Sequence, residues 1–329
     1  MKPVKWGVVS TANIGVAKVI PGMLKSSLLE VAAIASRDLA TGEKAAKRLG
    51  IPKAYGSYEE LLADPEIEAI YNPLPNHLHV PITLTAAKAG KHVLCEKPIA
   101  MTAKEAEKLK RLPKGIMVAE AFMVRHHPQW IAARELARSG ALGELRAIQV
   151  FFSYYNDDPA NVRNMADIGG GGLLDIGCYP ITVSRFIFDG DPSRVVALVD
   201  RDPKFKTDRT LSGLADFGKG RQLSFTVSTQ AAPYQRVNIL GTKGRVEIMI
   251  PFNAPQDRIT RYAVHIENPA RHENIEVPVA DQYQLQAEAF SRAIRGEEPL
   301  GWGTADAIMN MKIIDAFFRS EKSKKWEKV

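Results

Sequence analysis

Lys97, Asp175 and Tyr179 are the residues of this chain whose types and settings suit moving a proton. Lys97 lies in His92-Val93-Leu94-Cys95-Glu96-Lys97-Pro98, which reads as a short buried strand that stops in an acid, a base and a proline. Most Glu-Lys pairs are solvated surface pairs, but this one closes an apolar strand. Asp175 and Tyr179 follow four successive glycines at 169–172, a mobile turn that a ligand could approach closely. If the next segment is helical, Asp175 and Tyr179 stand at i and i+4 on one face, although Gly177 and Pro180 weaken the helical pattern. Alternatively, Asp175 caps or pairs locally and Tyr179 is core. A phenol has an ordinary pKa of about 10 and serves as a base only where its anion is stabilised, a task for a nearby lysine ammonium. Together a carboxylate, a phenol and a lysine form a proton-handling set.

These residues must be held by elements, and the first half of the sequence supplies them in alternation. Lys5 to Val9 is an apolar run ending in Ser10-Thr11-Ala12-Asn13-Ile14-Gly15, and a helical pattern follows through Met23. Strand, small-residue turn and helix make the layout of a dinucleotide fingerprint, in which backbone N–H groups meet a pyrophosphate at a helix start. The usual G-x-G-x-x-G reads here as Ser10-x-Ala12-x-x-Gly15, with one glycine kept. A second strand, Leu29 to Ala35, ends in Ser36-Arg37 rather than in an acid. A hydroxyl and a guanidinium there suit a 2′-phosphate, so NADP is expected over NAD, with NAD possible. Asp38, Ser57 and Thr102 are placed to cap helices. Strands at 69–71 and 116–119 and a helix from about Val80 to Ala89 complete a parallel, doubly wound sheet. Ligands bind such sheets at the carboxyl ends of the strands, where Ser10, Arg37, Pro73, Glu96 and Glu120 all fall.

Beyond Leu145 the texture changes to runs that read as strands at 146–154, 195–200, 211–217, 222–228, 237–240 and 245–250. Short turns between several of them suggest a largely antiparallel sheet. Helices are expected at 128–139, 282–295 and 304–320. The expected division is 1–122 for a Rossmann dinucleotide-binding domain and 123–329 for a substrate and oligomerisation domain.

The net charge of +7 is spread along the chain, so nucleic acid is not the expected partner, and the basic tail from Lys322 to Lys328 reads as a solvated helix end. Two distant cysteines, Cys95 and Cys178, suggest neither disulfide nor zinc. With no secretory leader or membrane span apparent, a reducing, cytoplasmic setting is expected. His77, His79 and the adjacent His126-His127 lack a carboxylate or thiol cluster at ligand spacing, so no metal is expected.

The sequence resembles the glucose–fructose oxidoreductase / inositol dehydrogenase (Gfo/Idh/MocA) family. The resemblance runs through Ser10 to Gly15, Ser36-Arg37, Pro75-Asn76-His77-Leu78-His79, Glu96-Lys97-Pro98, Glu120 to Arg125, Gly170 to Tyr179, Gly241-Thr242-Lys243-Gly244 and Asp306. It implies an α/β fold, with a Rossmann domain followed by an α+β domain bearing an open-faced sheet. That face would be covered in a homodimer or higher homo-oligomer. It also implies a cis Lys97-Pro98 peptide and a cofactor-contacting set of Ser10, Thr11, Ala12, Asn13, Ile14, Ser36, Arg37, Pro73, Leu74, Asn76, His79, Glu96, Lys97 and Arg125. Many relatives place histidine where this chain has Tyr179, and the tyrosine is similar to the branch of D-xylose, glucose and dihydrodiol dehydrogenases. The expected roles are Tyr179 as general acid/base, Lys97 as electrostatic partner and hydroxyl ligand, and Asp175 as substrate orienter. Arg163 either reaches a substrate hydroxyl or lies on the surface. The expected activity is NADP-dependent aldose 1-dehydrogenation, with a trans-dihydrodiol dehydrogenase or keto-sugar reductase as the alternative at the same site. A non-enzymatic NADP sensor and a nicotinamide-dependent glycosidase are more distant readings.

Overall fold

Short apolar strands with helices between them bury both faces, and that pattern builds the first sheet. β1 (Val4–Val9), β2 (Leu29–Ala35), β3 (Lys53–Tyr55), β4 (Ala69–Asn72), β5 (His92–Cys95) and β6 (Val118–Glu120) form six parallel strands in the order β3-β2-β1-β4-β5-β6. In β1 every residue but Lys5 is buried, as a strand covered on both sides requires. The order reverses between β1 and β4, and that switch point is where such sheets open a crevice. The computed structural model describes residues 2–268 and 270–329.

Asp38, Ser57 and Thr102 each accept the N–H three residues on, at 3.1, 3.2 and 3.1 Å. They cap the helices Leu39–Leu49, Tyr58–Ala63 and Ala103–Ala106. The helix expected from Val80 starts earlier and runs Asn76–Lys88, with Pro81 inside it. Proline favours a first turn, which is why the pattern pointed to a later start.

The second sheet has nine strands in the order β14-β13-β12-β11-β7-β10-β9-β8-β15. In chain order these are β7 (Leu145–Tyr155), β8 (Arg194–Arg201), β9 (Asp208–Asp216), β10 (Gln222–Ser228), β11 (Gln230–Gly241), β12 (Gly244–Ile248), β13 (Thr260–Glu267), β14 (Ala270–Val277) and β15 (Glu327–Lys328). All neighbours pair antiparallel except β7 with β10. One face carries Ile148, Val150, Phe152, Val237, Ile239 and Val246, all buried. The other leaves Leu198 77%, Tyr234 50%, Leu214 46% and Phe151 37% exposed, so this sheet is open-faced. The sequence reading omitted β13, β14 and β15. The tail is not a solvated helix end: the helix Thr304–Ser323 stops, and Glu327 and Lys328 pair with Val195 and Arg194.

The chain divides into two compact units, 1–123 with 281–308, and 124–280 with 309–329. The expected boundary at 122/123 thus meets a first unit that takes back a later segment. Trp6 shows why this segment belongs there. Its indole donates to Ser291 Oγ at 3.1 Å, and its ring centroid lies 5.6 Å from that of Phe290.

Candidate active site

In the first unit, the candidate residues gather at the carboxyl ends of β1, β2, β4 and β5. Ser10 turns the chain with φ +107, a conformation that glycine usually supplies in the fingerprint. Its Oγ accepts the Ala12 N–H at 3.0 Å, and helical backbone begins at Asn13. Ser10, Thr11, Ala12 and Ile14 are half-buried and Asn13 is exposed, so the turn can be reached from solvent. This geometry fits a dinucleotide: Ser10 keeps the turn without the glycine, and a helix start stands at the strand-order switch. Ser36 is buried, with its Oγ accepting the Asp38 N–H at 3.3 Å, whereas Arg37 is exposed. The Arg37 guanidinium favours ionisation of Tyr58, but burial outweighs it and raises that phenol.

The loop after β4 is held from inside. Buried Asn72 accepts the Leu74 N–H at 3.3 Å and donates to the His79 carbonyl at 3.2 Å. Pro73 is buried beside it and Asn76 opens the following helix. His79 is 1% exposed, and its ring nitrogens lie 2.7 Å from the Pro98 carbonyl and 2.6 Å from the Leu74 carbonyl. Burial pulls this imidazole down to about 4, against the pull of the two carbonyls. His79 therefore ties the loop after β4 to the loop after β5.

Lys97 is half-buried in that second loop, and its peptide bond to Pro98 is cis. Glu96 accepts the Tyr71 hydroxyl at 2.7 Å and the Lys97 N–H at 3.2 Å. Burial, then the Glu96 charge, pushes the Tyr71 phenol well up. Glu120 accepts the Ile99 N–H at 2.8 Å and so braces the far side of the turn.

In the second unit, a π-helical turn, Leu173–Gly177, runs directly into the α-helix Cys178–Phe188. Asp175 and Tyr179 lie on this segment, 9% and 6% exposed. Asp175 Oδ2 accepts the Tyr154 hydroxyl at 2.5 Å and the Arg163 Nε–H at 3.0 Å. Arg163 is exposed but paired: Asp175 is the main influence raising its pKa, and Tyr154 and Tyr179 add to it. Burial, then Asp175, raises the Tyr154 phenol. The Tyr179 ring packs against Phe252 at 5.2 Å and edge-on to Phe152 at 5.9 Å. One cluster thus joins a carboxylate, a guanidinium and two phenols. Arg125, in the short turn Met123–His126, is buried.

The glycine turn before this helix is bonded to the chain's own backbone. Gly170 and Gly171 N–H donate to Met165 and Arg163 carbonyls at 2.8 and 2.9 Å. A Cβ on Gly170 would lie 2.6 Å from the Arg163 carbonyl oxygen. The close approach that requires glycine is made by the chain itself. The supporting parts played by Tyr71, Glu120 and Tyr154 were not foreseen. Their contacts span 25, 21 and 21 residues, and only the placement of Glu120 at a strand end gave a signal.

A doubly wound sheet in 3-2-1-4-5-6 order, a dinucleotide turn and a strand-end lysine define a nicotinamide-dependent oxidoreductase. The family profile described as "Oxidoreductase family, NAD-binding Rossmann fold" matches residues 4–118, and the "GFO/IDH/MocA C-terminal domain" matches 130–247. The chain belongs to the GFO/IDH/MocA family. It is 47% identical to "Uncharacterized oxidoreductase ORF334" of Rhizobium meliloti, over 100% of both chains. It is 35% identical to D-xylose 1-dehydrogenase (NADP(+)) 2 of Haloferax volcanii, over 97% of each. A 3-ketoreductase from Actinomadura kijaniata, solved with NADP and TDP-benzene, superposes with a TM-score of 0.89 at 28% identity. That match covers 97% of this chain and 98% of the other.

Proposed function

We propose that this protein is an NADP-dependent aldose 1-dehydrogenase, oxidising a pyranose such as D-xylose or D-glucose to its lactone. The observation that carries the reading is the cluster around Asp175. A carboxylate and a guanidinium are held 3.0 Å apart beside Tyr179, and such a set can bind and orient a polyhydroxylated substrate. When bound, the nicotinamide supplies the hydride acceptor. Tyr179 takes the hydroxyl proton, Asp175 and Arg163 orient the sugar, and Lys97 supplies the positive charge. Arg37, exposed at the end of β2, takes the 2′-phosphate, with Ser36 beside it. Ser10, Thr11, Ala12, Asn13 and Ile14 take the pyrophosphate side. Pro73, Leu74, Asn76, His79, Glu96 and Arg125 shape the rest of the cofactor site. The named activity of the Haloferax relative supports this reading. The ketoreductase likeness favours a second one, reduction of a keto-sugar at the same site.

Nicotinamide absorbance, followed with NADP⁺ and NAD⁺ against D-xylose, D-glucose and a trans-diol, tests the proposal. Sugar-dependent NADPH formation is expected, and Tyr179→Phe should lower kcat by roughly 10²- to 10⁴-fold. Arg37→Ala should raise KM for NADP⁺ about ten- to a hundredfold and leave NAD⁺ nearly unchanged. Binding of NADP(H) without turnover in either direction would overturn the reading in favour of a sensor. Turnover without net cofactor reduction would point to a glycosidase.

The open face of the second sheet is where we place a homodimer contact. Leu198, Leu214, Phe151 and Tyr234 form an apolar surface there, and covering it would remove it from water. Light scattering should show a dimer that Leu198→Asp with Tyr234→Asp converts to monomer. A wild-type monomer at micromolar concentration would sink this. Cys95 and Cys178 are both buried thiols outside any disulfide, which supports a cytoplasmic setting.

A further inference from the structure

We propose that Asp208 is a positioning residue for Tyr179 and Asp175, anchoring with its buried carboxylate the amino end of the helical segment that carries them. The proposal rests on the oxidoreductase reading for its kinetic consequence but not for its structural one.

Asp208 opens β9 and is 1% exposed. Its Oδ2 accepts the N–H of Leu173, the first residue of the π-helical turn, at 2.5 Å. The first N–H groups of a helix have no partner within it, and a carboxylate there is favoured by the aligned peptide dipoles. This anchor comes from 35 residues away rather than from a neighbouring cap. Gly172, at the expected cap position, offers no side chain.

The glycine turn is shaped around this contact. A Cβ on Gly171 would collide with Asp208 Oδ1, and one on Gly172 would lie 3.0 Å from the Asp208 carbonyl. Gly171 also has φ +123, a conformation that other residues seldom adopt. On its other side the turn bonds to the Arg163 and Met165 carbonyls, and the Arg163 side chain reaches Asp175. The turn is therefore gripped between Asp208 and the backbone of the residue that holds Asp175. A shift of the Leu173 N–H moves both Asp175 and Tyr179.

The carboxylate is also under electrostatic load. Burial raises it to about 6, while the N–H bonds from Leu173 and its own backbone oppose that rise. Arg201 on β8 favours the charge and Glu321 on the last helix opposes it. Those two are themselves paired at 2.6 Å. Tyr154 on β7 feels the Asp208 charge, Arg209 beside it is paired with Asp200, and β10 carries no titratable side chain. Above pH 6 the carboxylate is charged and grips the helix start, and below it the grip weakens. The sign for stability is opposite. A carboxyl raised on folding adds stability while protonated, and this is lost as pH rises from 3.8 through about 6.

Asp208→Asn keeps the shape and an acceptor oxygen but removes the charge, so the two signs separate the proposal from simple structural damage. In the full chain, melting at pH 7.5 should be unchanged or higher for the variant. Deuterium uptake at the Leu173 amide should rise about tenfold, and kcat should fall about tenfold with KM for the cofactor unchanged. In wild type, protection of that amide, corrected for intrinsic exchange, should weaken as pH falls through about 6, and the acid limb of kcat there should vanish in the variant. Wild-type protection and pH profile in Asp208→Asn would overturn the proposal. If the variant does not fold, the wild-type exchange profile decides, and a flat one between pH 5 and 7.5 sinks it. If the wild type shows no turnover, the oxidoreductase reading fails while the exchange measurements still test Asp208.

Discussion

The two units hold their candidate residues by different means. In the first, Lys97 and the loops beside it are placed by the ends of short parallel strands, and the ties are largely to backbone. His79 faces two carbonyls, Asn72 spans a peptide N–H and a carbonyl, and Glu120 takes one N–H. In the second, Asp175 is placed by side chains from elsewhere, Arg163 and Tyr154, and its helix is anchored by a third, Asp208. Strand ends converge because of topology, so a single substitution there disturbs one tie. The side-chain ties of Asp175 depend on one another, and removing Arg163 or Tyr154 leaves its buried carboxylate less compensated.

Two glycines put that contrast to its hardest test. Gly171→Ala brings a methyl into Asp208 at φ +123 and should cost about 3 kcal/mol or more in urea unfolding. Gly15→Ala, in the dinucleotide turn, meets Pro73 and Tyr71 no closer than 3.6 Å and should cost less than about 1 kcal/mol. Equal costs would erase the difference between the units.

His79 gives a smaller effect, with a pH signature. A histidine whose folded pKa is about 4 against an ordinary 6.5 adds stability that is present above 6.5 and lost as pH falls toward 4. The full swing is about 3 kcal/mol for this buried ring. His79→Gln should flatten that slope in equilibrium unfolding between pH 4 and 6.5, and an unchanged slope would remove His79 from the account. Asp208 contributes to stability with the opposite sign over an overlapping range, so in equilibrium unfolding the two contributions should partly offset as acidity increases, while the Leu173 amide itself loses protection.

Tyr71→Phe should be mildest. It removes one hydroxyl from Glu96, at a cost of about 1 kcal/mol in stability, with kcat down a fewfold. A loss in kcat beyond a hundredfold would show that the first unit also depends on a side-chain network.

The same division explains what could be read from the sequence. Leu29–Ala35 and Gln222–Ser228 were legible to the residue, because a continuous or alternating apolar pattern is a local signal. So were the caps at Asp38, Ser57 and Thr102, whose partners lie three residues away. β14 was missed because its sequence, Ala-Arg-His-Glu-Asn-Ile-Glu-Val, is mostly exposed and polar, and its pairing with β13 supplies the order that its own pattern lacks. Glu-Lys-Pro stood out because it ends a strand. Asp208 did not, because nothing near residue 208 shows that its carboxylate meets Leu173.

The return of residues 281–308 to the first unit has a consequence for synthesis. On the ribosome, Trp6 emerges early, whereas Ser291 and Phe290, its partners, are made nearly three hundred residues later. The Arg295 guanidinium that clasps Glu68 at 2.7 Å comes later still. The nascent cofactor-binding sheet must therefore wait with its first strand uncovered while the whole of 124–280 is translated, and the strand made first is among the last to be sealed.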